Sequence, residues 1–264
     1  MRPFARLSTA IAWWLPYAAG AAAAAGVLLL MVWQVVVRGP LVTLDWSVHE
    51  ALTEHVPTGA GQALLDTLAR AGQRWVTLPL LLALGAWVSW RQRRWRPMLA
   101  VLVGLGSAYL VGKTIKDGLG RTPPYKDVDI LHGVGEAFPS GHAANAAMTW
   151  ALISIMLFGA RGVWPNRERL RIGLVVSAGL SALVGSIMVV MDYHWLSDIP
   201  GGWMVGLFSL MLALIAFGPP LHQDERGGDG RQALAAAGQA ETVRGGSADG
   251  DGSTDRLRQD PLGL

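Results

Sequence analysis

The sequence predicts an all-α, polytopic membrane protein with six transmembrane helices. Of its 264 residues, 52% are hydrophobic and only 16% are charged, against about 25% charged in a typical soluble domain. The charged residues cluster between long apolar runs, as they do when a chain crosses a bilayer repeatedly. The chain has no cysteine, which excludes disulfides and thiolate metal sites.

The first apolar run covers residues 11–37 and follows a short basic lead with Arg2 and Arg6. A cleaved signal peptide is the alternative, but its apolar region spans only roughly 7–15 residues. We therefore interpret residues 1–40 as an N-terminal segment that includes an uncleaved first transmembrane helix.

Residues 41–74 mix apolar and charged side chains. Apolar residues recur at helical spacing at Ala63, Leu64, Leu68 and Ala71. This pattern predicts one or two amphipathic helices on the membrane surface. An ordinary solvated helix has the same pattern, and the sequence does not separate the two.

The predicted transmembrane core covers residues 75–217. Because a spanning helix needs about 20 mostly apolar residues, we place the remaining five helices at 75–90, 97–115, 142–160, 172–191 and 199–217. Residues 218–264 are rich in Gly, Asp, Arg and Ala and nearly free of large apolar residues. Such a segment buries too little apolar surface to offset its ordering entropy, so we predict a disordered tail.

The distribution of arginine predicts the orientation. Two short loops, Arg91–Arg96 and residues 160–171, are strongly basic and fall on the same side of a six-helix protein as the N-terminus. The positive-inside rule makes this side cytoplasmic, together with the tail. The loop before Ser140 then faces outward. The composition, which is heavy in Arg, Ala and Gly and poor in Lys, is typical of a bacterial plasma membrane protein.

The outward side collects the unusual polar residues. The three lysines are Lys113, Lys116 and Lys126, and the first two lie one helical turn apart. Arg121 follows in a Gly- and Pro-rich stretch that cannot be helical. Snorkelling cations at a membrane edge are the simpler explanation, but the neighbouring motifs favour an anion site.

The sequence Pro139-Ser140-Gly141-His142 opens the fourth apolar run. Pro and Ser are typical of a helix start, and Gly lets a ligand approach the backbone. The free N–H groups and the positive end of the helix then form an anion site, to which Ser140 adds a hydroxyl group and His142 a titratable group. A plain helix cap beside a chance histidine is the alternative.

His194 and Asp198 are four residues apart, so one helical turn places them on one face. A carboxylate that accepts the imidazole N–H fixes the tautomer and makes the other nitrogen a better nucleophile or base. Ionisable groups near bilayer depth cost on the order of 2.5–3.5 kcal/mol on insertion scales, which favours a functional role.

The order of these motifs, a lysine, then PSGH, then His-x3-Asp, resembles the type-2 phosphatidic acid phosphatase (lipid phosphate phosphatase) superfamily over about residues 40–217. The resemblance implies that His194 attacks phosphorus and forms a phosphohistidine. It implies that Asp198 orients His194 and that His142 protonates the leaving alcohol. It also implies an outward-facing phosphatase-like core with no metal or other cofactor.

The phosphate-binding residues implied by the resemblance are Lys116, Ser140, Gly141 and, as a substitute, Arg121. The family's first motif is K-x6-R-P and its third is S-R-x5-H-x3-D. Pro123 and Met188 stand where the two motif arginines are expected. Losing one oxyanion donor typically costs 10²–10³ in rate, so this departure leaves the level of activity open.

Three hypotheses follow. The first is a membrane phosphatase that hydrolyses a lipid phosphomonoester or pyrophosphate, and the second is a catalytically weak or inactive lipid-phosphate binding or transport protein. The third is a metal-dependent hydrolase that uses His132, Glu136, His142, Asp192, His194 and Asp198, although H-E-x-x-H spacing is absent.

The expected partners are a lipid phosphate substrate and the surrounding membrane lipids. Nucleic acid is excluded because no basic stripe with interleaved aromatic residues is present. The oligomeric state and the identity of the lipid stay open.

Overall fold

The computed structural model describes residues 13–219, and within this range the chain is helical with no β-strand. The α-helices of this range are α1 (Leu15–Val36), α2 (Pro40–Leu52), α3 (Ala60–Ala69), α4 (Arg74–Gln92), α5 (Arg96–Leu119), α6 (Gly141–Phe158), α7 (Arg167–Val190) and α8 (Asp198–Phe217). Short 3₁₀ turns lie at Thr53–His55, Arg70–Gly72 and Pro124–Lys126. The predicted all-α fold class is confirmed. The predicted tail from residue 220 onward lies outside the described residues.

Five helices of the described range are long and apolar enough to cross a membrane: α1, α5 with the turn that follows it, α6, α7 and α8. All six predicted spans coincide with a helix, but α4 is not among these five. Its 19 residues include Arg74 and Arg91 near the ends and Pro79 inside, which lower its mean hydropathy. The count of six spans therefore stays a prediction.

Capping residues set the helix ends that matter for the site. Ser140 caps α6 as predicted, because its side chain accepts a hydrogen bond from the backbone N–H of Ala143. Helix α5 runs beyond the predicted residue 115 and ends at Gly120, whose φ of +53° lies in the left-handed region. Lys116 consequently lies in the last turn of α5, where a cation complements the helix dipole.

Helix α8 packs against α1, α5 and α6 and so forms the centre of the bundle. Glycines make its close contact with α6 possible. A Cβ on Gly202 would collide with the carbonyl oxygen of Ser140, and one on Gly206 with the carbonyl oxygen of Ala144. Small residues four apart are typical of tightly packed membrane helices. This packing brings the first turn of α8 against the first turn of α6.

The segment 41–74 contains buried polar groups that its surface-like sequence pattern does not indicate. Asp45 and His49 on α2 are only 1% and 6% exposed, and they contact the loops that precede α6 and α8. On α3, Leu64 and Leu68 remain exposed. A membrane-surface location therefore stays a prediction for α3, whereas α2 packs against the loops.

Candidate active site

Three separate chain segments meet where α6 and α8 begin: the end of α5 with its following loop, the start of α6, and the turn before α8. The backbone N–H of Ser140 donates a hydrogen bond to the carbonyl oxygen of Asp198, at 2.9 Å. Lys116 and Ser140 line one cavity at this end, and His142 lies in the first turn of α6, two residues after Ser140. Residues predicted from three distant motifs thus lie at one end of the bundle.

His194 and Asp198 form the predicted pair. Nδ1 of His194 lies 3.2 Å from Oδ2 of Asp198, and the same oxygen accepts the backbone N–H of Trp195 at 2.9 Å. The side chain of Asp198 is fully buried and that of His194 is 12% exposed. Because Nδ1 faces the carboxylate, Nε2 is the nitrogen that is available for chemistry.

Arg121 lies in a fully buried cluster of carboxylates. Its Nε and Nη2 donate to Asp129 at 2.9 and 3.1 Å. Its Nη1 donates to Ser197 at 2.9 Å and to Asp198 at 3.0 Å, and its Nη2 also donates to Asp45 at 2.7 Å. A guanidinium has five N–H donors, and these five contacts use them all.

The position of Arg121 does not fit its predicted role in phosphate binding. Its side chain is 0% exposed, and it has no donor left for a phosphate. The physical reason is the high local density of carboxylates, which a buried guanidinium must neutralise. Arg121 instead donates a hydrogen bond to Asp198 and thereby fixes the carboxylate that faces His194.

Asp45 completes this cluster from α2. Its carboxylate accepts the backbone N–H of Ser197 at 2.7 Å and the hydroxyl of Ser197 at 2.6 Å. Burial raises the pKa of Asp45 above its ordinary value, although the charge of Arg121 and the hydrogen bonds from Ser197 oppose this effect. Asp45 thereby fixes the turn that carries the His194–Asp198 pair.

His49, one turn further along α2, makes a second set of contacts with the loops. Its Nδ1 lies 2.8 Å from Asp192 and its Nε2 lies 3.0 Å from Asp127. Burial alone lowers the pKa of His49, but the hydrogen bonds and charges of the two carboxylates outweigh it and raise the pKa. Asp192, two residues before His194, is therefore paired with His49.

A cavity of about 250 Å³ opens in front of the α6 N-terminus. Ser140 and Gly141 lie in its wall with Lys113 and Lys116 of α5. Nothing lies within 4 Å of the position that a Cβ on Gly141 would occupy, so its backbone is open to a ligand. Lys116 donates to the backbone oxygen of Glu136. The cavity combines cations, a helix N-terminus and a hydroxyl group, which suits a phosphate.

Arg74, the first residue of α4, also lines this cavity, and sequence reasoning did not identify it. The preceding 3₁₀ turn packs on α6, since a Cβ on Gly72 would collide with the carbonyl oxygen of His142. The indole N–H of Trp150 donates to the carbonyl oxygen of Ala71 at 3.0 Å. These contacts hold the start of α4 beside the predicted phosphate site.

Metal ligation was a third possibility for the acidic and histidine residues. Among residues 13–219, no group of three or more His, Asp or Glu side chains is arranged to hold a metal ion. His132 and Glu136 are exposed, whereas Asp192 and Asp198 are engaged with His49 and Arg121 respectively.

Comparison with known proteins identifies the family. A sequence model described as the PAP2 superfamily matches residues 97–219. Over this stretch the chain is similar to the PAP2 superfamily. This stretch contains Lys116, the PSGH motif and the His194–Asp198 pair, so the resemblance carried by these motifs is confirmed.

The curated protein and the solved structure to which the chain is similar both come from Bacillus subtilis. Phosphatidylglycerophosphatase B of strain 168 is 27% identical over 135 residues, which are 51% of this chain and 64% of that protein. The match thus spans less than two thirds of that relative. The crystal structure of a transmembrane PAP2-type phosphatidylglycerolphosphate phosphatase shares the fold, with a TM-score of 0.61 at 20% identity, over 74% of this chain and 94% of that one.

Pro123 and Met188, at which the resemblance leads us to expect arginine, offer no cation here. Pro123 is buried at the start of a 3₁₀ turn. Met188 is 2% exposed and packs in an apolar cluster with Ile187 and Ile199. Neither Pro123 nor Met188 lines the cavity beside Ser140. A further cation for a phosphate bound there would have to come from another chain segment.

Proposed function

We propose that this protein is a membrane lipid phosphatase that hydrolyses a lipid phosphomonoester or pyrophosphate through a phosphohistidine. Similarity to the PAP2 superfamily and the named relatives support the reaction class. The observation that carries the proposal is the hydrogen bond between Nδ1 of His194 and the buried carboxylate of Asp198, beside the open N-terminus of α6.

The proposed reaction has two steps. Nε2 of His194 attacks phosphorus, the bond from phosphorus to the leaving oxygen breaks, and His142 donates its proton to that oxygen. Water then attacks the phosphohistidine and gives up a proton to His142, and inorganic phosphate leaves as His194 is restored. Asp198 accepts the hydrogen bond from the Nδ1–H of His194 throughout. Lys116, Ser140 and the Gly141 backbone N–H bind the phosphate oxygens.

Phosphatidylglycerol phosphate is the first substrate to test, because both named relatives are phosphatases of this lipid by name. Phosphatidic acid and polyprenyl (pyro)phosphates share the same chemistry at phosphorus. The cavity beside Ser140 has a volume of about 250 Å³, which accommodates a phosphate with part of a head group.

We place the protein in the plasma membrane with its active site on the extracytoplasmic face. The basic turn after α4 and the loop between α6 and α7 lie together, since Nε2 of Gln92 donates to the carbonyl oxygen of Arg161. Helix α6 separates this end from Ser140 at its other end. With the basic end in the cytoplasm, the cavity faces outward.

A non-catalytic lipid-phosphate binding or transport protein is the second candidate. The observation in its favour is the uncharged, buried character of Pro123 and Met188. A site with the nucleophile but with too few cations would bind a phosphate without stabilising its transition state.

Phosphate release from the purified protein in detergent tests the proposal. The substrates are phosphatidylglycerol phosphate, phosphatidic acid and polyprenyl (pyro)phosphates, each with and without chelator, and His194→Ala is the control. We expect release that is insensitive to chelator and absent from the variant. Binding without release would favour the second candidate, and loss of release in chelator would favour a metal-dependent hydrolase.

A further inference from the structure

We propose that Arg74 supplies the phosphate-facing guanidinium that Pro123 and Met188 do not provide, a role that rests on the proposed phosphate site. Arg74 lies outside the segment that matches the PAP2 superfamily and enters the cavity from the start of α4. In this proposal, the anion-binding cation comes from α4 and not from the loop before α6 or from α7.

The lining of the cavity is the first argument. Arg74 shares the cavity wall with Lys113, Lys116, Ser140 and Gly141. All three cations therefore lie around one cavity. Glu136 also lines the cavity and pairs with Lys113 at 3.5 Å, and Asp117 pairs with the same lysine. Among the described residues, Arg74 and Lys116 have no carboxylate at ion-pair distance, and a phosphate dianion is the ligand class that would pair with both.

The orientation of the guanidinium is the second argument. Cζ of Arg74 lies 4.7 Å from the ring centroid of Tyr109, a distance typical of a cation–π contact. Tyr109, Lys113 and Lys116 follow each other at i, i+4 and i+7 and so share one face of α5. Tyr109 therefore holds the planar group beside the same cavity that the two lysines line.

The local energetics give the third argument. A cation at a helix N-terminus opposes the helix dipole, so the position of Arg74 at the start of α4 is unfavourable for the helix itself. In the part of the chain that the structure describes, Arg74 makes no salt bridge, in contrast to Arg121 with its three carboxylates. Its N–H groups remain available for a bidentate contact with phosphate oxygens.

The test compares Arg74→Ala with Arg74→Lys and with Arg70→Ala in the full-length protein. Arg70 is a matched control because it is an exposed arginine one turn earlier that does not line the cavity. We expect Arg74→Ala to lower kcat/KM for a lipid phosphomonoester roughly tenfold to a hundredfold, below the 10²–10³ of a fully buried oxyanion donor because Arg74 is exposed. Arg74→Lys should restore part of this loss, and Arg70→Ala should match the wild type.

Tyr109 provides a test of orientation. Tyr109→Leu removes the aromatic face and should lose part of the contribution of Arg74 to kcat/KM, whereas Tyr109→Phe keeps the face and should lose less. The double variant Arg74→Ala, Tyr109→Leu should then be no worse than Arg74→Ala alone. Additive losses would mean that Tyr109 does not act through Arg74.

A binding measurement separates this inference from the proposed catalysis. Inorganic phosphate should raise the melting temperature of the wild type and of Arg70→Ala, and this shift should shrink in Arg74→Ala whether or not the protein turns over. An inactive wild type that shows the Arg74-dependent shift would refute the catalytic proposal and retain this one. Equal kcat/KM and equal phosphate-induced shifts in melting temperature in Arg74→Ala and Arg70→Ala would overturn the role of Arg74.

Discussion

Asp198 joins two hydrogen-bond systems through its two carboxylate oxygens. Oδ2 faces His194 and the backbone N–H of Trp195, while Oδ1 accepts from Arg121. Arg121 in turn contacts Asp45 and Asp129. A change at any of these residues should therefore alter how the imidazole of His194 is held.

The two histidines should have separable roles. His194→Ala should lower kcat by roughly 10⁴–10⁶-fold for every substrate, because no phosphoenzyme forms. His142→Ala should cost about 10²–10⁴-fold for a lipid phosphate but less for an activated aryl phosphate, whose leaving group needs little protonation. Turnover of both substrate classes by each variant measures this. Trapped label on a residue other than His194 would contradict the assignment.

Removal of Arg121 should destabilise the protein. Arg121→Ala leaves Asp45, Asp129 and Asp198 buried without their cation, and breaking such a network costs about 3–5 kcal/mol. Thermal unfolding in detergent, with Arg94→Ala as an exposed control, measures the loss. Any folded fraction should show a reduced kcat, because Asp198 loses its support. A raised KM at unchanged stability would instead restore the phosphate-binding role predicted from the sequence.

At the scale of elements, local sequence rules identified the helices and the motif residues but not their supports. Helical spacing finds His194 and Asp198 because they lie in one turn. It cannot find the contact of His49 with Asp192, which joins residues 143 positions apart. Asp45 and His49 are four residues apart on α2, so they share one helix face. This spacing is the sequence signal that indicates a polar contact made by α2. For Arg74, nothing within its own helix indicates that Ser140 lies nearby.

The α6–α8 contact should be intolerant of a single methyl group. Gly202→Ala places a Cβ against the carbonyl oxygen of Ser140. This oxygen belongs to the backbone, so it cannot move aside as the end of a flexible side chain can. Overpacking of this kind typically costs about 1–3 kcal/mol, and here it should also displace the turn at Ser140, where we propose that phosphate binds. Gly179→Ala on α7 is the control, because nothing lies within 4 Å of its Cβ position. Melting temperature and activity should fall in the first variant only.

The contact of α2 with the loops that precede α6 and α8 should weaken as pH rises. The folded-state pKa of His49 is raised by Asp192 and Asp127. Its stabilising contribution is therefore fully present below the ordinary pKa of about 6.5 and is lost as pH rises through the folded-state pKa. The melting temperature of the wild type should fall from pH 6 to pH 8.5 more steeply than that of His49→Gln. Parallel profiles would show that His49 does not titrate in this range.

At the scale of the whole molecule, the open question is whether α4 crosses the membrane as a sixth span. Its 19 residues reach about 28 Å at 1.5 Å per residue, close to the ~30 Å hydrocarbon core. Arg74 lines the cavity at one end, and Gln92 contacts Arg161 at the other. Trp75 and Trp90 are 81% and 76% exposed near its two ends, as expected of interfacial aromatic residues. Helix α4 therefore extends between the same two ends of the bundle as α6.

Six spans predict that both termini are cytoplasmic. A reporter enzyme that is active only outside the cytoplasm should be active when fused after Gly59 or after His132, the two segments at the cavity end. It should be inactive when fused after Arg94, after Trp164 or after Leu264. The Arg94 fusion is decisive, because a chain in which α4 does not cross would keep Gly59 and Arg94 on the same side. Equal reporter activity at these two positions, with expression verified by immunoblot, would reduce the count to five and move the N-terminus to the side of the active site.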